Sequence, residues 1–171
     1  MRNDWQINPD WPSDTTGIEV FGQRAEVVTG TMVLFVVDGW RFFLAGSFEP
    51  IEIIDFRDSK SLVVVDGSVY LVDPTEKTVS APGDIDFVDQ LVYSADHDLV
   101  FLCAFSCRLY AIGPEGVRWA VDDLHTDEMR IIEVQESEVI AEAYDPPSGE
   151  TLRFRVSIDS GEHDAPTFMR E

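Results

Sequence analysis

The chain has 171 residues, 44% of them hydrophobic, which is enough for one domain to bury a core without disulfides or a structural metal. Thirty-three acidic residues stand against 12 basic ones, a formal net charge of -21, and such a surface repels nucleic-acid phosphates and anionic membranes. The excess runs through both halves, with 14 acids against 6 bases in residues 1–85 and 19 against 6 in residues 86–171, so it belongs to the folded chain and not to an acidic tail.

Taken from the start, residues 1–16 hold Trp5, Trp11, Pro9 and Pro12. They read as an N-terminal arm that folds back over the sheet. No basic stretch precedes an apolar run there, so a signal peptide is not expected. Apolar segments then follow one another at short intervals, rich in Val, Ile, Phe and Tyr and bounded by Gly, Asp and Pro, which predicts strands and no helices. Residues 17–60 give first hairpin units, with strands over 17–21, 24–28, 31–37, 41–45 and 51–56. Residues 61–171 give strands over 61–65, 68–73, 77–80, 85–93, 99–104, 108–112, 116–121, 129–135, 138–144 and 151–158, with a short one over 167–169. The longest apolar run, Met32 to Val37, is too short to cross a bilayer, and a cytoplasmic location is expected.

Turn chemistry punctuates these strands. Asp38–Gly39 and Asp66–Gly67 suit two-residue hairpin loops that need positive φ. Asp73–Pro74, Gly113–Pro114–Glu115–Gly116 and Asp159–Ser160–Gly161 are further turns, and Pro146–Pro147–Ser148–Gly149 reads as a longer exposed loop. The turns at Asp73, Gly113 and Asp159 lie 40 and 46 residues apart, so residues 61–171 divide into about three similar units of strand, tight turn and strand. The Pro146–Gly149 loop is expected to absorb the extra six residues. A period near 40 with several strands per unit is the mark of propeller blades.

Within the second unit, Leu109–Tyr110–Ala111–Ile112–Gly113–Pro114–Glu115–Gly116 followed by Trp119 resembles the strand, glycine turn and tryptophan of PQQ-type propeller repeats. The resemblance implies hairpin units with Trp119 packed between neighbouring sheets. It does not extend to PQQ itself, and 171 residues hold too few units for a typical closed ring. The predicted fold is all-β, a single domain of repeated antiparallel hairpins in a partial-propeller-like or sandwich-like array.

Chemistry-bearing patterns are sparse. No Gly-x-Ser-x-Gly elbow or glycine-rich phosphate loop is present, and no helix is predicted to receive an anion. In an extended strand Cys103 and Cys107 stand about 13 Å apart, beyond the ~7 Å of a disulfide, so both are expected as buried thiols unless the strand folds back between them. The histidines at 97, 125 and 163 lack metal-ligand spacing. The run Asp84–Ile85–Asp86–Phe87–Val88–Asp89 superficially suggests a calcium loop, but bulky residues replace its small turn positions. Asp84 and Asp86 are expected to face solvent and Ile85 and Phe87 the core. Neither a metal, a cofactor nor a catalytic centre is expected.

The functional candidate is the acidic stretch from Asp84 to Glu128, ten acids against Arg108 and Arg118. Asp84, Asp86, Asp89, Asp96, Asp98, Asp122, Asp123, Asp127 and Glu128 are the predicted partner-binding acids. Loops one unit apart are expected to gather them on one edge of the array. Trp40, directly after a turn, is the candidate aromatic anchor. The expected function is a non-catalytic module that binds a basic protein partner, in its sharpest form a bacterial immunity or inhibitor protein that neutralises a basic toxin such as a nuclease. A carbohydrate- or small-ligand-binding β-protein or minor hydrolase, and a structural subunit of a larger assembly, are the alternatives.

Overall fold

The computed structural model describes residues 4–7, 18–22, 32–37, 40–45, 51–65, 67–83, 85, 87–105, 107–122 and 127–165. Among them are 15 strands and no helix. The chain packs as two compact units, Met1–Ala81 and Pro82–Glu171.

In the first unit, β1 (Asp4–Ile7), β2 (Ile18–Gly22), β3 (Met32–Val37) and β4 (Trp40–Ala45) form a sheet of order β1-β3-β4-β2, with β2 parallel to β4 and the other pairs antiparallel. Part of the expected N-terminal arm is therefore a strand: Asp4–Ile7 extends the edge of this sheet by pairing with β3. The second sheet is a meander of β5 (Ile51–Asp55), β6 (Ser61–Val65), β7 (Ser68–Asp73) and β8 (Thr78–Ser80). Val37 pairs with Trp40 and Val65 with Ser68, so two residues close each hairpin, as Asp-Gly sequences favour. Trp40, Phe42 and Leu44 share a core with Val63, Val65 and Val72.

The second unit holds two meanders. The third sheet runs β9 (Val88–Ser94), β10 (Leu99–Ala104), β11 (Arg108–Gly113) and β12 (Gly116–Val121), and the fourth runs β13 (Asp127–Val134), β14 (Glu138–Asp145) and β15 (Glu150–Ser157). Alternation places Leu99, Phe101, Cys103, Leu109 and Ala111 on one face of the third sheet. They pack with Met129, Ile131, Val139, Ala141, Phe154 and Val156 of the fourth. Residues of the opposite face, Val100, Leu102, Tyr110 and Ile112, are buried as well. A central strand buried on both faces reads as a continuous apolar run, which is the character of Leu99 to Ala104.

The period of about 40 residues has a structural counterpart. Five side-chain hydrogen bonds join the third sheet to the fourth, each spanning 39 or 41 residues. Gln90 on β9 both donates to the carbonyl of Ile131 at 3.0 Å and accepts from its N–H at 2.7 Å. In this way a side-chain amide satisfies the backbone of an edge strand. His97 Nε2 donates to the carbonyl of Glu136 at 2.8 Å, while Nδ1 meets the Ser94 hydroxyl at 2.8 Å. Buried Trp119 donates through Nε1 to the carbonyl of Ile158 at 2.7 Å, and Arg118 reaches Asp159 at 3.1 Å. Four positions of the third sheet thus bond to positions 39 or 41 residues further along.

Pro146–Gly149 is an exposed loop closed as a turn: Asp145 pairs with Glu150, its carbonyl accepts the Gly149 N–H at 2.8 Å, and Gly149 has φ 72°. Two local expectations change. The extra length of the last unit goes instead into β13, β14 and β15, each 8 residues long. The strand expected over 85–93 begins only at Val88. The strands expected over 24–28 and 167–169 lie outside the described residues.

Candidate partner-binding surface

The direction of each strand decides which acids meet. β10 and β12 run the same way, so the turn Ala95–Asp98 and the turn Pro114–Glu115 share one end of the third sheet. The turn between β10 and β11 lies at the other end. Val121 pairs with Leu109, and Leu109 with Cys103, so Asp122 emerges at that second end. Because Gln90 binds Ile131 and His97 binds Glu136, β13 runs alongside β9 in the same sense. Glu128, three residues before Ile131, therefore also belongs to the second end.

The acids picked out in the sequence consequently fall into two groups and not onto one edge. Asp96 and Asp98 stand at the first end. Asp98 accepts a hydrogen bond from the Tyr93 hydroxyl at 2.9 Å, which commits it to the turn. Asp89, Asp122 and Glu128 stand at the second end, all three exposed. Asp84, Asp86 and Asp123 lie outside the described residues; Asp127 is placed on β13 by its backbone alone. Trp40 is not an exposed anchor: it is 8% exposed and packs on Phe42 with ring centroids 4.6 Å apart. Its place as the first residue of β4, pairing with Val37, turns it into the core.

The pairing of charges separates these groups from the outer face of the fourth sheet. There Arg130 binds Glu142 at 3.0 Å and Arg155 approaches Glu138 at 3.9 Å. Among the described residues, no cation pairs with Asp89, Asp96, Asp122 or Glu128. Arg130 and Arg155 thus offset acids of a strand face and Arg118 offsets Asp159 in a turn, whereas Asp89, Asp96, Asp122 and Glu128 have no ion-pair partner among the described residues. Arg108, half-buried, sits at the second end as well.

That end also carries residues the sequence reading placed elsewhere or passed over. Phe87, expected in the core, is 67% exposed, and Phe105 is 69% exposed. Their rings meet edge-on at 6.0 Å, and the Phe105 N–H donates to the Phe87 carbonyl at 3.0 Å. The strict alternation of Asp84 to Asp89 put Ile85 and Phe87 on one face. Only Ile85 is buried, because Phe87 has φ 53°, which breaks the two-residue period. Cys107 and Glu128, at the same end, also have positive φ, 55° and 50°.

The chain does fold back between the two cysteines, through the β10–β11 turn, and both are free thiols. Burial, with smaller contributions from Asp89 and Cys107 and against a hydrogen bond involving the Ile131 backbone, pushes the Cys103 thiol up to about 12. It is therefore a protonated core side chain and not a nucleophile. Asp145, the last residue of β14, is only 1% exposed. One of its carboxylate oxygens accepts the Ser148 N–H at 3.1 Å, and the other has no hydrogen-bond partner. The sequence signal for it was the Asp that opens the Pro-Pro-Ser-Gly turn.

A shallow groove of about 700 Å³ lies between Ala120–Asp122 and Ser160–His163. It brings Asp122 near Glu162, but the adjacent Trp119 is buried beneath Gly161, where a Cβ would stand 3.0 Å from the indole. Among the described residues, no three His, Cys, Asp or Glu are grouped to hold a metal ion, and no helix is long and apolar enough to cross a membrane. No protein-family model, curated protein or solved structure matches this chain.

Proposed function

We propose that this chain is a non-catalytic protein-binding module whose acidic surface takes a basic macromolecular partner. In its sharpest form it is an immunity or inhibitor protein that acts in the cytoplasm and occludes a basic toxin such as a nuclease. The observation that carries this reading is the uneven pairing of charge: among the described residues Asp89, Asp96, Asp122 and Glu128 have no ion-pair partner, whereas Arg130 and Arg155 are spent on the fourth sheet. Exposed acids without an ion-pair partner, at strand ends and turns, raise the local negative potential and speed encounter with a positive surface. A nuclease must be basic where it grips phosphate, so its working surface is the complement of this one. The hairpin meanders, read as propeller-like blades, supply the rigid frame on which loops are free to specialise.

A carbohydrate site would call for an exposed aromatic platform beside converging carboxylates. The groove near Asp122 and Glu162 offers none from Trp119, whose indole is buried. Affinity capture with the tagged chain at low and at high salt tests it. The expected partner is a single basic protein, held at low salt and released at high salt. A partner of acidic isoelectric point, or one held equally at both, overturns the reading.

A further inference from the structure

We infer that the Phe87–Phe105 pair is the apolar anchor of a docking surface for a basic protein that presents an aliphatic side chain flanked by Lys or Arg. This rests on the protein-binding reading above and names the face and the chemistry it selects. The other Phe side chains described, Phe42, Phe56, Phe101 and Phe154, are all at most 4% exposed. Two rings at 67% and 69% in mutual contact are therefore an exception to how this sequence uses phenylalanine.

The pair is also held in place. The hydrogen bond from the Phe105 N–H to the Phe87 carbonyl ties the segment before β9 to the β10–β11 turn, so little ordering remains to be done on binding. Phe87 adopts the left-handed region, φ 53°, which is uncommon for a bulky residue and costs conformational energy. Burying its ring in the core does not offset that cost, since the ring is exposed.

Charge selects the occupant. Asp89 lies two residues from Phe87, and Asp122 and Glu128 emerge at the same end, beside Arg108, with no ion-pair partner of their own among the described residues. A second copy would set two chains of net charge -21 face to face, and an anionic bilayer would be repelled in the same way. A basic partner gains from both the apolar anchor and its acidic surround, with aromatic residues serving as the energetic centre of the interface.

Two peptides of equal charge and length test this, one of repeated Lys-Leu-Lys and one of repeated Lys-Gly-Lys, titrated at low salt into the wild-type chain and a Phe87→Asn, Phe105→Ser variant. The wild type is expected to bind the leucine peptide about tenfold more tightly than the glycine peptide. The variant is expected to bind both equally and still in a salt-sensitive manner. Retention of the preference by the variant overturns the docking surface while leaving the acidic module standing; failure of the wild type to bind either peptide overturns the module itself. Asn tolerates positive φ, so Phe87→Asn alone is expected to unfold at a urea concentration no lower than the wild type. A lower midpoint would assign Phe87 to folding, and a wild-type dimer lost in the double variant would assign the face to a second copy; either result overturns the proposal.

Discussion

The two ends of the third sheet are built from the same strands and treat their side chains in opposite ways. At the first end, His97 ties to Glu136, Asp98 to Tyr93 and Arg118 to Asp159, with the Trp119–Ile158 bond close behind. At the second, Phe87, Phe105, Asp89, Asp122 and Glu128 are exposed, and three non-glycine residues hold positive φ. The first end carries most of the bonds between the sheets of the second unit and a single turn residue, Asp98, at positive φ; the second carries three such residues and apolar surface that internal packing does not use. Strain that folding does not require points to a task outside folding.

Substitution at the joined end should therefore cost stability, and substitution at the other should not. Trp119→Ala removes a buried indole and leaves the Ile158 carbonyl without its donor, and a loss of about 3–5 kcal/mol in urea unfolding is expected. Gln90→Ala, on β9 one residue beyond Asp89, strips both backbone groups of Ile131 of their partner, for a loss of about 2–4 kcal/mol. Gly161→Ala combines a φ of 74° with a Cβ placed 3.0 Å from Trp119, and about 1–3 kcal/mol is expected, with near-ultraviolet circular dichroism reporting the displaced indole. Phe87→Asn, by contrast, should change stability by less than about 1 kcal/mol, in the favourable direction. If Phe87→Asn costs as much as Gly161→Ala, the contrast between the ends collapses.

Acid–base behaviour sharpens the same contrast from inside. The Cys103 thiol is raised from 9.0 to about 12 by burial, so its neutral form is favoured in the folded chain. A raised folded value contributes stability that is complete below pH 9 and is lost as pH climbs toward 12. Unfolding free energy should fall across that window, and Cys103→Ala should remove that part of the fall. Thiol reagents at neutral pH should label half-buried Cys107 first and Cys103 only as the chain unfolds.

Much of the sheet architecture was legible because alternation and turn chemistry agree in segments such as Leu62–Asp73 and Leu99–Ile112. The period of about 40 was legible for a physical reason, since residues 39 to 41 apart bond across the two sheets of the second unit. Other features leave no local trace. A glutamine that feeds a neighbouring strand looks like any polar residue, so Gln90 carried no signal. The exposure of Phe87 depends on a single positive φ that alternation does not encode, and the burial of Trp40 follows from pairing with Val37 immediately after the turn. The division of acids between two ends required strand direction, which composition does not contain.

A basic partner is proposed to meet this chain at the end of the third sheet that carries Phe87 and Phe105. Backbone amide shifts of the isotope-labelled chain, followed by NMR during titration with the Lys-Leu-Lys peptide at low salt, test it most directly. Changes concentrated at residues 87–89, 105, 107, 122 and 128 are the predicted result. Changes centred on residues 94–98, 135–137 and 158–161, or spread evenly over the chain, would contradict it.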